Sequence, residues 1–191
     1  MSIKTFLVIM TTYGILDYLD EITNRVTDSF EKIIPRFELF IWPDIISPSM
    51  KCFDWSRRQY LASCLIDQLI NVISRHRENG FYTVGIGYID GFEHGFNFVF
   101  GEADPVRKLA VVFTRRLDQR FYGLEIDRQL YVERISKEIV HELGHLMNLK
   151  HCDIRECVMS FSNNVSQVDV KTRFFCEKCI ISLKKNLLIN Y

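Results

Sequence analysis

Residues 132–151 read VERISKEIVHELGHLMNLKH. Val132, Ile135, Ile139, Leu143 and Leu146 recur every three or four residues, which predicts an amphipathic helix. At about 100° per residue, His141 and His145 lie roughly 40° apart on it, so both imidazoles project from one face. The apolar stripe is centred about 130° away on the same geometry. The two histidines therefore face off the core, as suits the floor of a cleft. Asn148 marks the expected helix end, because helices commonly stop on a left-handed residue, usually Gly and sometimes Asn. A turn there swings His151 back toward the first two rings.

His141-Glu142-x-x-His145 with His151 beyond the turn suits a catalytic zinc site. Zinc takes neutral imidazole nitrogens at about 2.0–2.1 Å, and catalytic sites use three protein ligands plus water. Glu142 follows the first ligand, and its helix position keeps it out of the ligand set. There it can take a proton from a metal-activated water and pass it to a leaving amine. H-E-x-x-H alone recurs by chance on helix surfaces. The third histidine, with two residues between it and the helix stop, makes chance a poor account. His76 reads as a solvated helix-end residue and His94 as a loop residue.

Four of the six cysteines follow at once: Cys152 and Cys157 as C-x4-C, then Cys176 and Cys179 as C-x2-C. Two such pairs make a closed tetrahedral thiolate set, a second and structural zinc. The stretch between them has little apolar periodicity, so a metal clip does there what a core cannot. Cys52 and Cys64 stand alone and read as packing residues.

Working outward, residues 4–12 and 36–42 read as strands, and residues 15–33 and 55–75 as helices, with Asp54 or Ser56 as N-cap of the second. Strand-like runs follow near 82–89, 97–101 and 109–115, and residues 177–188 read as a last short helix. The order is a mixed α/β layout, a twisted sheet backed by helices. Its 191 residues suffice for one domain: an upper part over 1–148 and an irregular, zinc-clipped lower part over 149–191. Lys and Arg number 24, as do Asp and Glu, so there is no basic excess of the kind a nucleic-acid binder shows. No stretch reaches membrane-span length, and the apolar run over 6–10 is too short for a signal peptide. The expectation is a cytoplasmic monomer with reduced thiols and no nucleic-acid or membrane partner.

The block over 141–179, H-E-x-x-H-x-x-N-x-x-H followed by C-x4-C-x-M and C-x2-C, resembles the archaemetzincins, a branch of the metzincin zinc peptidases. Residues 91–103 (GFEHGFNFVFGEA) resemble the family's stretch ahead of the catalytic helix. The resemblance implies an α+β metzincin-like fold, with a twisted sheet above the active-site helix. It implies His141, His145 and His151 on a catalytic zinc, Glu142 as general base and acid, and the four cysteines on a second zinc. Met159 would be the Met-turn methionine beneath the catalytic metal. Peptide substrates would add along an edge strand, for which Asn97, Val99 and Gly101 are the candidates. The implied activity is aminopeptidase-like cleavage of short peptides. Asn148 departs from the family's usual Gly, but Asn tolerates the left-handed conformation. Two other readings share these residues: a zinc-binding protein without catalysis whose cleft binds a peptide partner, and a hydrolase of non-peptide amides. Glu142 argues against the first, since a structural site has no use for it.

Overall fold

Residues 6–10 are apolar without a break because that part of the first strand and its continuation is covered on both faces. Ile3, Leu7 and Ile9 point into one core cluster, while Val8 and the following Met10 point into a second on the opposite face. A computed structural model of the chain describes residues 3–74 and 81–189, so the expected position of His76 falls outside the described residues. In chain order the elements are β1 (Ile3–Ile9), α1 (Leu19–Glu31), β2 (Phe37–Ile41), β3 (Phe53–Asp54), β4 (Gln59–Leu61), α2 (Ala62–Ile73), β5 (Tyr82–Gly87), β6 (Gly91–Phe92), β7 (Gly101–Asp104), β8 (Leu109–Phe113), α3 (Arg128–Leu146), α4 (Val165–Val170) and α5 (Glu177–Ile189).

Five strands form the main sheet in the order β2-β1-β5-β8-β7. The first four are mutually parallel and β7 runs antiparallel on the edge. The mixed α/β layout expected from the sequence is thus present. α1 and α3 cover one face, where Ile22, Val26, Phe30, Val132, Ile135 and Ile139 share a core with Val84, Ile86 and Val112. α2 covers the other, with Leu65 and Leu69 against Val111 and Phe113. Asp127 caps α3, its side chain accepting from the Leu130 amide. No helix among the described residues is long and apolar enough to cross a membrane.

The structure differs from the sequence reading in three places. The second helix begins at Ala62, not at residue 55. Asp54, expected as a cap, instead accepts from the Ser56 and Arg57 amides at 2.8 and 3.0 Å, and Arg58 is left-handed at φ 55°. Those bonds close the β3–β4 hairpin as an Asx-type turn. The first turn of α2 is capped from a distance, by Glu93 accepting from the Ser63 amide at 2.9 Å. Second, Cys52 and Cys64, expected as reduced packing residues, instead form a disulfide, with Cα atoms 5.4 Å apart. A 3-10 turn ending at Cys52 lies against the first turn of α2, which brings the two sulfurs together. Third, the expected strand over 97–101 starts later. Val99 makes only an isolated bridge to Gly91, and the regular edge strand is β7. The Asn97 carbonyl is already taken by Arg57 and Gln59.

Beyond α3 the chain is irregular as far as α4, in keeping with the loss of periodicity after Asn148, although α4 itself is a short helix inside the stretch read as irregular. α5 then returns, inserting Leu183 and Leu187 into the α3 side of the core. Ile135 is 0% exposed in that core. Ile135→Ala is expected to lower unfolding stability by about 2–5 kcal/mol, the cost of a large-to-small change in a packed interior. Chemical denaturation of the metal-loaded protein measures it, and a loss below about 1 kcal/mol would show that α3 does not carry this core.

Candidate active site

α3 ends in a Schellman motif. Asn148 has φ 61°, its amide donates to His145 O at 2.9 Å, and the Leu149 amide donates to Gly144 O at 2.9 Å. The left-handed turn expected at Asn148 is therefore made. Asn186 of α5 adds a clasp that the sequence did not suggest, donating to the Met147 and Asn148 carbonyls at 3.0 and 2.9 Å. The turn reverses the chain and returns His151 to the face of α3 that carries His141 and His145.

There the three rings converge. His145 Nε2 lies 3.1 Å from His141 Nε2 and 3.2 Å from His151 Nε2. Zinc–nitrogen bonds of about 2.0–2.1 Å in a tetrahedron set ligand atoms about 3.3–3.4 Å apart, so the spacing fits one zinc. Two rings are oriented from behind: His141 Nδ1 donates to Val158 O at 2.7 Å and His145 Nδ1 to Leu149 O at 2.8 Å. These bonds fix the proton on Nδ1 and leave each Nε2 lone pair free for a cation. Burial keeps the rings neutral, pushing His141 well below the usual imidazole range and His145 down to about 4. His151 is held down by the same cause. Three imidazoles and no carboxylate in the donor set leave a coordination position for water or substrate.

Glu142 lies beside this cluster, 4% exposed. Burial, then the neighbouring Glu138 and Glu102, raise its carboxyl well above the usual range, while the Lys171 ammonium opposes them. Its carboxylate rests on the edge strand. A Cβ at Gly101 would overlap Glu142 Oε1 and sit 2.7 Å from its Cδ and Cγ, so only glycine leaves room. Gly144 works the same way beneath the rings, where a Cβ would collide with Met159 Sδ. Met159, fully buried, thus packs against α3 one residue from His145. Glu138 and Lys171 form an ion pair at 2.8 Å with side chains 4% and 1% exposed, and neither was singled out from the sequence.

His141, Glu142, His145 and His151, together with Glu138 and Lys171, line a cleft of about 660 Å³ between β7 and α3. Its upper wall is residues 95–103, which include Asn97, Val99 and Gly101, and its lower wall includes Phe161, Ser162 and Asn163. His94 is outside that lining. Behind the cleft, Cys152 Sγ and Cys176 Sγ are 3.8 Å apart, and Cys157 Sγ and Cys179 Sγ 3.7 Å. All four sulfurs lie within 4.8 Å of one another. Zinc–sulfur bonds of about 2.3 Å in a tetrahedron put sulfurs about 3.8 Å apart, so this set also fits a zinc. Burial raises the Cys157 and Cys179 thiols, so a cation is what would hold them as thiolates.

Comparison with known proteins agrees with this geometry. The pattern of Peptidase family M54 matches residues 6–185. The archaemetzincin of Sulfolobus acidocaldarius is 41% identical over 150 residues, 78% of this chain and 82% of that protein. That of Saccharolobus solfataricus is 32% identical over 190 residues, 97% and 96% of the two chains. The crystal structure of Methanopyrus kandleri archaemetzincin superposes with a TM-score of 0.83 at 32% identity, covering 98% of this chain and 96% of that one. A zinc-dependent peptidase from Methanocorpusculum labreanum gives 0.84 at 27% identity, with 95% and 100% covered. The chain belongs to peptidase family M54, the archaemetzincins, and is a metallopeptidase.

Proposed function

We propose that the chain hydrolyses short peptides in the β7–α3 cleft, with Glu142 as general base and acid, in the manner of an aminopeptidase. The observation that carries this is the seat of Glu142: a buried carboxyl of raised pKa, wedged between three converging imidazoles and the free edge strand. Its cleft volume of about 660 Å³ lies in the range of small-ligand sites, about 300–1,000 Å³, and suits a short peptide.

Zinc held by His141, His145 and His151 would polarise the scissile carbonyl and lower the pKa of water from about 15.7 to about 7. The backbone groups on the free side of β7 would pair with the substrate main chain and hold it across the cleft. Glu142 then takes a proton onto its carboxylate and delivers it to the leaving nitrogen. Burial raises its pKa above the usual carboxylate range, which strengthens its hold on the proton it accepts before delivery. Gly101 keeps that carboxylate at the strand, and Val158 O and Leu149 O hold two rings in register. Cys152, Cys157, Cys176 and Cys179 would hold a second, structural zinc. Both donor sets come from one chain, so a monomer suffices.

Glu142→Gln should retain zinc and lose about 10²–10⁴-fold in kcat on a free-amino peptide library read by mass spectrometry. Unchanged turnover would remove Glu142 from the mechanism, and equal cleavage of amino-blocked peptides would remove the aminopeptidase assignment. Gly101→Ala should keep the zinc content but lower kcat by about 10²-fold, the scale of an ångström-sized displacement of a catalytic group. Wild-type kcat in that variant would show that the glycine does not seat Glu142. Metal analysis should find about two zinc per chain, falling to one with Cys157→Ser and faster hydrogen exchange over residues 152–179. A single zinc in the wild type would contradict the four-cysteine site.

A further inference from the structure

Glu138 and Lys171 line the catalytic cleft yet take no part in the hydrolysis described above. They are as buried as His141 and Glu142, which line it with them. A buried ion pair is seldom the most stable way to fill space, because desolvation offsets much of the attraction. Its position relative to a bound peptide follows from the fold. Tyr131, near the start of α3, hydrogen-bonds Thr114 just past the end of β8 at 2.8 Å. Further along α3, Glu142 meets Gly101, which pairs with Val112 earlier in β8. α3 therefore runs against β8 and, since β7 is antiparallel to β8, in the same direction as β7. A peptide added antiparallel to β7 runs against α3, with its C-terminal side toward Glu138. Glu138 precedes His141 by three residues and Glu142 by four, a rise of about 4.5–6 Å. That is within reach of a carboxylate on the residue just past the scissile bond, since an extended chain advances about 3.3–3.4 Å per residue.

Resting on the peptidase reading, we propose that Lys171 is a specificity-determining residue that reads a carboxylate on the residue immediately C-terminal to the scissile bond. Its ammonium donates to Ser160 O at 3.4 Å and lies 2.8 Å from Glu138 Oε1 as an ion pair without hydrogen-bond geometry. That leaves N–H capacity on the ammonium for a substrate carboxylate. Glu138 holds the ammonium in place and, by partly cancelling its charge, lets products leave.

Equilibrium binding to zinc-loaded Glu142→Gln protein tests this without turnover, using dialanine, dialanine amide and alanyl-aspartyl amide. Dialanine should bind about 10- to 100-fold more tightly than its amide, the factor expected of one hydrogen bond to a charged group. Tight alanyl-aspartyl amide would show that a side-chain carboxylate also serves; weak binding would restrict the reading to a terminal carboxylate. Adding Lys171→Met together with Glu138→Leu, which removes both charges and leaves no buried partner exposed, should bring the acid-to-amide ratio to about one. Adding Glu138→Gln alone, which keeps Lys171, should raise the ratio. No preference for the acid in the parent, or a preference that survives the loss of Lys171, would overturn the proposal. Absence of any peptide cleavage by the wild-type enzyme would instead defeat the aminopeptidase reading and leave this binding result standing.

Discussion

Everything at the site hangs on the left-handed turn at Asn148. It ends α3 one residue after its last buried apolar turn, and the next residue, Leu149, serves twice. Its amide closes the Schellman motif on Gly144 and its carbonyl orients His145. Two residues later the chain presents His151 to His145 at 3.2 Å. A change of register here would lose a helix cap, a ring orientation and a donor together. Asn supplies the required φ of 61° at less cost than most side chains, and Asn186 ties the freed carbonyls from outside.

The cysteine clip is coupled to the same turn. Cys152 follows His151 directly, and Cys157 precedes Val158, whose carbonyl holds His141. The Cys152 amide donates to Met159 O, closing the loop beneath the rings. Fixing the four sulfurs therefore fixes the backbone on both sides of the histidine site, with no periodic core in that stretch to do so. The polar residues of α3 point the same way. Arg134 forks onto Asp169, Lys137 donates to Val168 O, and Glu138 pairs with Lys171. The lower part is thus fastened to the helix by charge and hydrogen bonds, to which a metal on the four cysteines would add.

What the sequence disclosed is what short-range spacing encodes. His141, His145, Asn148 and His151 lie within eleven residues, so helix geometry and the turn that ends the helix bring them together. The four cysteines carry recognisable ligand spacings, and β1 and α3 carry long apolar signals. What stayed hidden depends on contacts between distant segments. The Cys52–Cys64 bridge needs the 3-10 turn before β3, and the β3–β4 hairpin reads as helix because its stop lies in Asp54's side chain. Gly101 reads as a strand residue until Glu142 is seen against it. Lys171 is 33 residues from Glu138 in the chain, and no local pattern links them.

Three imidazoles placed to hold one cation, with a coordination position left free, are the feature on which the chemistry turns. Diffraction from zinc-soaked crystals at the zinc absorption edge tests it most directly. An anomalous peak is expected with His141, His145 and His151 Nε2 at about 2.0–2.1 Å and solvent alone completing the shell. A peak with His151 turned away, or with a fourth protein atom bound, would contradict it.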